Sequence, residues 1–302
     1  SLLISESGVQ VVDQIPSGVE QIDGEGCWLL PALTELHADF RQPGLEHIYS
    51  FSCGIQAMVR GGYSTVLLTP QTNPVIDQPS VVELVRRQVE RRTVDLRIAA
   101  ALSRELAGTK LPELVEMHNA GASAFSTGLS ALPSTRFLRL ALSYAMQTDC
   151  RVHLFPLEAD WSQELSFPEG PVADLYGLSG KPECAETIAV FRILEVVRSL
   201  RTPVHLKHLT LPASISMALE AREQGFDVTF DLPILNLLFD EEDLDGLDTS
   251  LHLNPPLRSS AVRSELLRVV REGKIKVLSS QHIPVLPENK NDHFAASHPG
   301  AV

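Results

Sequence analysis

Long apolar runs are missing from this sequence, and none approaches the ~20 residues that a membrane-spanning helix requires. The opening residues, SLLISESGVQVV, lack the basic start and the small-residue cleavage site of a secretory signal. Cysteine is also scarce: the chain has no CxxC pair and too few thiols for a disulfide framework. These absences predict a cytoplasmic protein from a reducing compartment, with no membrane contact. The cysteines are Cys27, Cys53, Cys150 and Cys184.

Positive charge is the next deficit, with 25 Lys and Arg against 38 Asp and Glu and a formal net charge of −13. Because no basic cluster interrupts this acidic balance, nucleic acid and anionic membranes are excluded as expected partners. A protein or a small molecule is the expected partner. The length of 302 residues and the 44% share of hydrophobic residues predict one large domain with a small appendage.

Beyond about residue 30, short apolar or β-branched runs alternate with longer segments of helical periodicity. This alternation is typical of repeated βα units and a parallel sheet. A doubly wound sheet is the competing architecture, but no Gly-rich phosphate loop follows the first strand. Eight strands over about 250 residues favour a (β/α)8 TIM barrel, whose site lies at the carboxyl ends of its strands. The predicted strands are residues 32–39, 64–70, 94–102, 122–127, 150–156, 202–209, 226–233 and 275–281.

Five motifs occur in an order that resembles the dihydroorotase branch of the amidohydrolase superfamily. They are LHADFRQPG, GGYSTVLLTPQTNPV, HLKHLT, LHLNPPLR and SSQHIPVLPENK. The resemblance implies a (β/α)8 barrel with a small β-sandwich built from both chain ends. We therefore expect residues 1–30 to give the N-terminal strands of that sandwich and residues 31–302 to form the barrel. The C-terminal half of the sandwich and the last barrel helix are expected to be missing after Val302.

Hydrolysis of a cyclic amide needs a metal ion that activates water and a carboxylate that carries the proton. The resemblance implies metal ligands from the first, fourth, fifth, sixth and seventh strands and a catalytic Asp from the eighth. His37 and His208 match ligand positions, whereas Asp39 replaces a His. Asp can still bind zinc. Gln281 replaces the catalytic Asp, and an amide cannot serve as a general base near neutral pH.

Other ligand positions have also lost their donors. Phe155 stands where the fifth-strand His is expected, although His153 lies two residues earlier on the same face and leaves the register open. His205 and His208, three residues apart on a strand, are expected on opposite faces and so cannot share one metal. The remaining departures are Thr127 and Gly128 on the fourth strand, Leu235 and Asn236 on the seventh, and Val285 on the eighth.

Substrate-contacting positions have changed less. Arg41, Asn73, Asn254 and His282 match residues that in the family hold the carboxylate and ring amide of dihydroorotate. An Arg can still form a bidentate pair with a carboxylate. The alternative is that these polar groups remain only because they hydrogen-bond loop backbone.

The resemblance implies a non-catalytic dihydroorotase homologue of pyrimidine biosynthesis that assembles with the catalytic chain of aspartate transcarbamoylase. It would carry no cofactor, form a homo- or hetero-oligomer and expose an apolar patch. The alternative is an active zinc-dependent dihydroorotase or a hydrolase of another cyclic amide, with one metal on His37, Asp39 and His208. A third, less favoured hypothesis is a cytoskeletal or signalling adaptor.

Overall fold

The computed structural model describes residues 1–5, 8–90, 94–162 and 166–300. The chain divides into two compact units, Ser1–Ala32 and Leu33–Val302. In the first unit, strands β1 (Leu2–Ser5) and β2 (Gly8–Val11) form an antiparallel pair in which Leu2 lies opposite Val11. Most side chains of this pair are exposed, so the hairpin has little core of its own.

The second unit is built on a curled sheet of seven parallel strands that pair in chain order. Each strand lies within or next to one predicted from the sequence, which confirms the βα alternation. Their side chains are largely buried because helices cover the sheet, as expected for parallel strands. The strands are β3 (Leu33–Ala38), β4 (Tyr63–Leu68), β5 (Asp95–Ala101), β6 (Ala124–Ser126), β7 (Arg151–Leu154), β8 (Val204–Leu206) and β9 (Val228–Phe230).

An eighth strand position joins the two ends of this series. Strand β10 (Leu232–Pro233) continues from β9 and pairs in parallel with β11 (Leu278–Ser279). A few residues later, His282 bridges Ala38 of β3, and Asp39 N donates to His282 O at 2.9 Å. The architecture is therefore TIM-barrel-like, and the carboxyl ends of the strands meet at one end of the sheet.

Amphipathic helices pack on the outer side of the sheet and form the main core with it. Ser50, Ser134 and Ser259 each begin a helix by accepting a hydrogen bond from a backbone amide of its first turn. None of the helices in the described ranges has the length and hydrophobicity that a bilayer crossing requires. The helices are α1 (Phe51–Arg60), α2 (Pro79–Val89), α3 (Leu114–Ala120), α4 (Thr135–Ala145), α5 (Pro171–Tyr176), α6 (Cys184–Leu200), α7 (Pro212–Glu223), α8 (Leu235–Leu238) and α9 (Ser260–Arg271).

Long connections after β7 and β10 pack into a second, smaller core near the carboxyl ends of the strands. Phe167, Leu253, Leu257 and Phe294 are its larger buried members. One such connection contains the acidic run at 239–248, where Asp240 caps the short 3-10 helix Glu241–Leu244. Carboxylates of this run therefore bond the local backbone and begin a helix.

A buried ionic network ties α6 to the connections after β8 and α8. Glu186 accepts hydrogen bonds from the backbone amides of Thr210 and Leu211, each at 3.1 Å, and from the Thr210 hydroxyl at 2.5 Å. Arg258 Nη2 lies 3.3 Å from the same carboxylate, and its Nε donates to Thr210 Oγ1 at 2.9 Å. Four donors on one buried carboxylate offset its loss of hydration.

We expect Glu186→Ala to lower the free energy of unfolding by about 3–5 kcal/mol, because it leaves the buried Arg258 charge unpaired. Glu195→Ala on the same helix is the matched control, since it removes an exposed pair with Arg198 and should cost less than about 1 kcal/mol. Urea denaturation of both variants measures the difference. Equal losses would show that the Glu186 network does not carry this stability.

A second expectation concerns His252, which stacks on Phe294 and whose Nδ1 lies 2.8 Å from Ser297 Oγ. Burial, with Lys290 and Lys181 nearby, lowers the pKa of His252 to about 4. Because the unfolded chain takes up this proton first, stability should fall by roughly 1.4 kcal/mol per pH unit from about pH 6.5 down to the folded pKa. An NMR titration of His252 checks this, and a midpoint near 6.5 would contradict it.

Candidate functional site

Four histidines converge on Asp231 at the carboxyl ends of the strands. His37 lies in β3, His153 in β7 and His205 in β8, while His208 follows β8 and Asp231 lies between β9 and β10. All five side chains are buried. The ring centroids of His37 and His208 are 4.7 Å apart, as are those of His153 and His205.

Asp231 is the hydrogen-bond acceptor at the centre of this cluster. Its Oδ2 accepts from His37 Nε2 at 2.9 Å and from His205 Nε2 at 2.8 Å. Its Oδ1 accepts from His208 Nδ1 at 2.8 Å and from Ser279 Oγ at 2.5 Å. The His208 backbone amide also donates to Oδ1 at 3.2 Å. Two donors on Oδ2 and three on Oδ1 favour the ionised form of this carboxylate.

The electrostatics of the cluster follow from this arrangement. Burial alone would raise the pKa of Asp231, but His208, His37 and the hydrogen bonds hold it well below its ordinary value. Burial lowers the pKa of both His37 and His153 well below the usual range for histidine. At neutral pH the centre is therefore a carboxylate, and these two imidazoles are neutral.

Lys207, between two of the cluster histidines in sequence, is fully buried, and its Nζ donates to Gly128 O at 2.8 Å. Burial lowers the pKa of Lys207 to about 8, although the charges of Asp231 and Asp39 oppose the shift. Its ammonium group thus supplies positive charge inside the strand ends. Neither Lys207 nor Asp231 was a candidate from the sequence. Each interrupts an apolar strand run, and a charge at such a position requires a partner.

The expectation that His205 and His208 point to opposite faces is wrong, because both bind Asp231. Strand β8 ends at Leu206, and His208 has a φ of 54°. The alternation of a strand therefore no longer applies at His208, and the turn brings its ring back over the cluster. His153, whose register the sequence left open, lies in the cluster beside His205.

Asp39 has different partners from the cluster histidines. Its Oδ2 lies 3.0 Å from Arg41 Nη1, and its Oδ1 accepts from the Arg41 backbone amide at 3.1 Å. Burial raises the pKa of Asp39, while Arg41 opposes this rise. The predicted trio of His37, Asp39 and His208 is not one of the groupings that the described residues form. At this end of the strands, the described residues form two groupings with donors within 4.8 Å: His37, His208 and Asp231, and His37, His153 and His205.

Other positions that lost a donor now make structural contacts. Thr127 Oγ1 accepts from the Phe155 backbone amide at 2.9 Å, and Asn236 Nδ2 donates to Pro256 O at 3.0 Å. Gln281 is buried, and its Nε2 donates to Asn254 O at 3.3 Å. These side chains hold neighbouring backbone in place.

The four positions that the resemblance predicts to contact substrate lie in separate surroundings. Asn254 lines a pocket that reaches His208, and His282 lines another pocket against α1. Arg41 Nε donates to Pro284 O at 3.1 Å, and Asn73 is exposed. Arg41 is thus held by protein groups, which agrees with the alternative that such residues bond loop backbone.

The cluster residues fit one metal ion, because either grouping supplies the three donors that a zinc site requires. They do not fit a pair of metals in the way the family requires. Thr127 and Gly128 supply no carboxylate that could bridge two metal ions. The neighbouring Lys207 supplies no bridging ligand either, because its Nζ donates to the backbone oxygen of Gly128. The ring nitrogens of His37, His205 and His208 that face Asp231 would have to exchange these hydrogen bonds for metal bonds.

No protein-family model matches the chain. Among solved structures, the chain is similar to L-hydantoinase (dihydropyrimidinase) from Arthrobacter aurescens, with a TM-score of 0.86 and 21% identity over 100% of this chain and 70% of that one. D-hydantoinase (dihydropyrimidinase) from Thermus sp. gives 0.75 and 18% over 97% of this chain and 67% of that one. These likenesses show the fold.

Curated relatives are closer in sequence. A dihydroorotase-like protein of Pseudomonas aeruginosa is 33% identical over 303 residues, which span 99% of this chain and 72% of that protein. A dihydroorotase of Carboxydothermus hydrogenoformans is 31% identical, over 92% of this chain and 65% of that enzyme. A dihydroorotase-like protein of Pseudomonas putida is 32% identical, over 94% and 67%. The chain therefore belongs to the dihydroorotase-like family of the amidohydrolase superfamily.

Proposed function

We propose that this chain is a cytoplasmic, non-catalytic dihydroorotase-like protein and a structural partner of the aspartate transcarbamoylase catalytic chain. The observation that supports the absence of catalysis is Gln281, which stands at the position that the resemblance assigns to the catalytic Asp. The Gln281 side chain is buried and donates to Asn254 O. A carboxamide is too weak a base to take a proton from water at neutral pH. Loss of such a proton carrier costs about 10²- to 10⁴-fold in rate.

The Asp231 cluster supports the same conclusion. Its carboxylate directly accepts from three histidines and a serine, so protein groups compensate the charge of Asp231. A metal bound to Asp231 would have to replace some of these hydrogen bonds. This compensation by side chains is compatible with a structural role.

The partner follows from the resemblance, in which inactive dihydroorotase homologues assemble with aspartate transcarbamoylase. An apolar surface supports assembly: Leu140 on α4 is 55% exposed, and Ile188 and Phe191 on the neighbouring α6 are 46% and 56% exposed. We call these three side chains the α4–α6 patch. Exposed apolar groups on adjacent helices are typical of interaction surfaces.

A second candidate function is hydrolysis of a cyclic amide at a single metal site, with zinc as the cofactor. The grouping of His37, His208 and Asp231 favours it, since all three donors are preorganised. A metal bound there would lower the pKa of its water and polarise the amide carbonyl. The proton would then need an acceptor other than residue 281. Asp39 is held by Arg41 and is not free for that role.

We expect no turnover of dihydroorotate by the purified chain with added zinc, at a detection limit about 10⁵-fold below the 1 to 10³ s⁻¹ typical of enzymes. The matched control is His37→Ala, which removes a donor from both possible metal groupings. Zinc-dependent turnover that His37→Ala abolishes would establish the second candidate. Glu195→Ala, an exposed change on α6, should leave any such activity intact.

Assembly is tested by co-expression with an aspartate transcarbamoylase catalytic chain and analytical ultracentrifugation of the product. We expect a stable complex, and we expect Phe191→Glu to weaken it by about 10- to 100-fold, the effect of losing a buried aromatic contact. Leu175→Glu is the control, because Leu175 is 74% exposed on α5, outside the α4–α6 patch. If the unaltered chain binds no transcarbamoylase catalytic chain, the partner is wrong.

A further inference from the structure

A second group of side chains that could hold a metal ion lies at the opposite end of the sheet. His118 is in the last turn of α3, and Asp149 and Cys150 directly precede β7. Ala122 precedes β6. Because these residues lie at the amino ends of the strands, they are far from Asp231, which follows the carboxyl end of β9. The group is independent of the proposed function.

Three electron-rich atoms of this group form a small triangle. Cys150 Sγ lies 3.2 Å from His118 Nδ1 and 3.5 Å from Ala122 O. His118 Nδ1 lies 3.3 Å from the same carbonyl oxygen. Gly121, with a φ of 119°, ends α3 and turns the chain so that the Ala122 carbonyl faces the thiol and the imidazole.

The edges of this triangle are close to those of a tetrahedral zinc site. Bond lengths of about 2.3 Å to sulfur and about 2.1 Å to nitrogen and oxygen give edges of roughly 3.6 Å for S to N and for S to O, and roughly 3.4 Å for N to O. The observed S–N, S–O and N–O edges are 3.2, 3.5 and 3.3 Å. Expansion of each edge by about 0.4 Å or less would therefore suffice to admit the ion.

The Asp149 carboxylate lies where it can orient the His118 ring. Its Oδ1 lies 3.3 Å from His118 Nε2, and a proton on Nε2 in this contact would leave the Nδ1 lone pair facing the triangle. Histidine ligands commonly donate their other ring N–H to a carboxylate in this way. The His118 side chain is 34% exposed and Asp149 is 89% exposed, which leaves a route from solvent.

We propose that Cys150 Sγ, His118 Nδ1 and Ala122 O bind one thiophilic divalent cation such as Zn²⁺, with a fourth position open to water. Asp149 is the positioning residue for His118. On binding, the Cys150 S–H bond breaks, the sulfur keeps the electron pair and bonds the metal, and the proton leaves to solvent. Burial raises the pKa of the Cys150 thiol, with the Asp149 charge also raising it, so affinity should fall as the pH is lowered.

Cobalt(II) is the probe that distinguishes this site from the Asp231 cluster, because only a thiolate ligand gives a sulfur-to-cobalt charge-transfer band. The experiment uses a chain in which the three exposed cysteines, Cys27, Cys53 and Cys184, are changed to Ser. We expect a saturable band with one equivalent of Co²⁺, and its displacement by Zn²⁺. Absence of the band in this chain would overturn the proposal.

Single-residue variants distinguish the three-ligand site from metal binding by the Cys150 thiol alone. Cys150→Ser should abolish the band, and His118→Gln should weaken Co²⁺ binding by at least 100-fold while circular dichroism shows a retained fold. Asp149→Asn should weaken it by about 10- to 100-fold, the usual effect of losing a carboxylate behind a histidine ligand. A band that His118→Gln leaves unchanged would contradict the site, and full affinity in Asp149→Asn would contradict the positioning role. His37→Ala, at the other end of the sheet, should leave the band unchanged.

Discussion

The structure depends on how one buried carboxylate is compensated. Asp231 has no exposure to solvent, and an isolated charge there would be strongly unfavourable. Hydrogen bonds from β3, from β8 and its following turn, and from β11 solve this problem by converging on it. The same bonds connect the first, sixth and eighth strand positions of the series. Neutralising one anion therefore also fixes the carboxyl ends of distant strands relative to each other.

Lys207 completes this balance of charge. Its ammonium group is buried near Asp231 and Asp39 and bonds Gly128 O, the carbonyl that follows β6. In the working enzymes that the family resemblance describes, metal ions supply positive charge to this end of the barrel. In this chain Lys207 is a covalently attached cation at the same end, and three imidazole N–H groups donate to Asp231.

Much of the fold was predictable because hydrophobic periodicity is local. The eight predicted strand positions are present in the structure. The resemblance of the motifs to dihydroorotases identified His37, His208 and Gln281 as the positions to examine. The prediction failed where the chain leaves regular geometry. His208 lies past the end of β8 with a positive φ, so a strand-based face assignment gave the wrong answer. Asp231 was missed because its partners lie up to 194 residues away in sequence.

Backbone pairing is sparse at the eighth strand position, and this determines where the sheet can open. Neighbouring strands such as β4 and β5 share four paired residues, whereas β10 and β11 share two, and His282 meets β3 through a single bridge. The seam on both sides of residues 278–282 is thus the least hydrogen-bonded part of the ring. Local opening requires the fewest broken backbone bonds there, so amide exchange should be fastest along this seam. Gln281 and Ser279 lie on this seam, and Ser279 donates to Asp231, so local opening there would expose the charged interior to water.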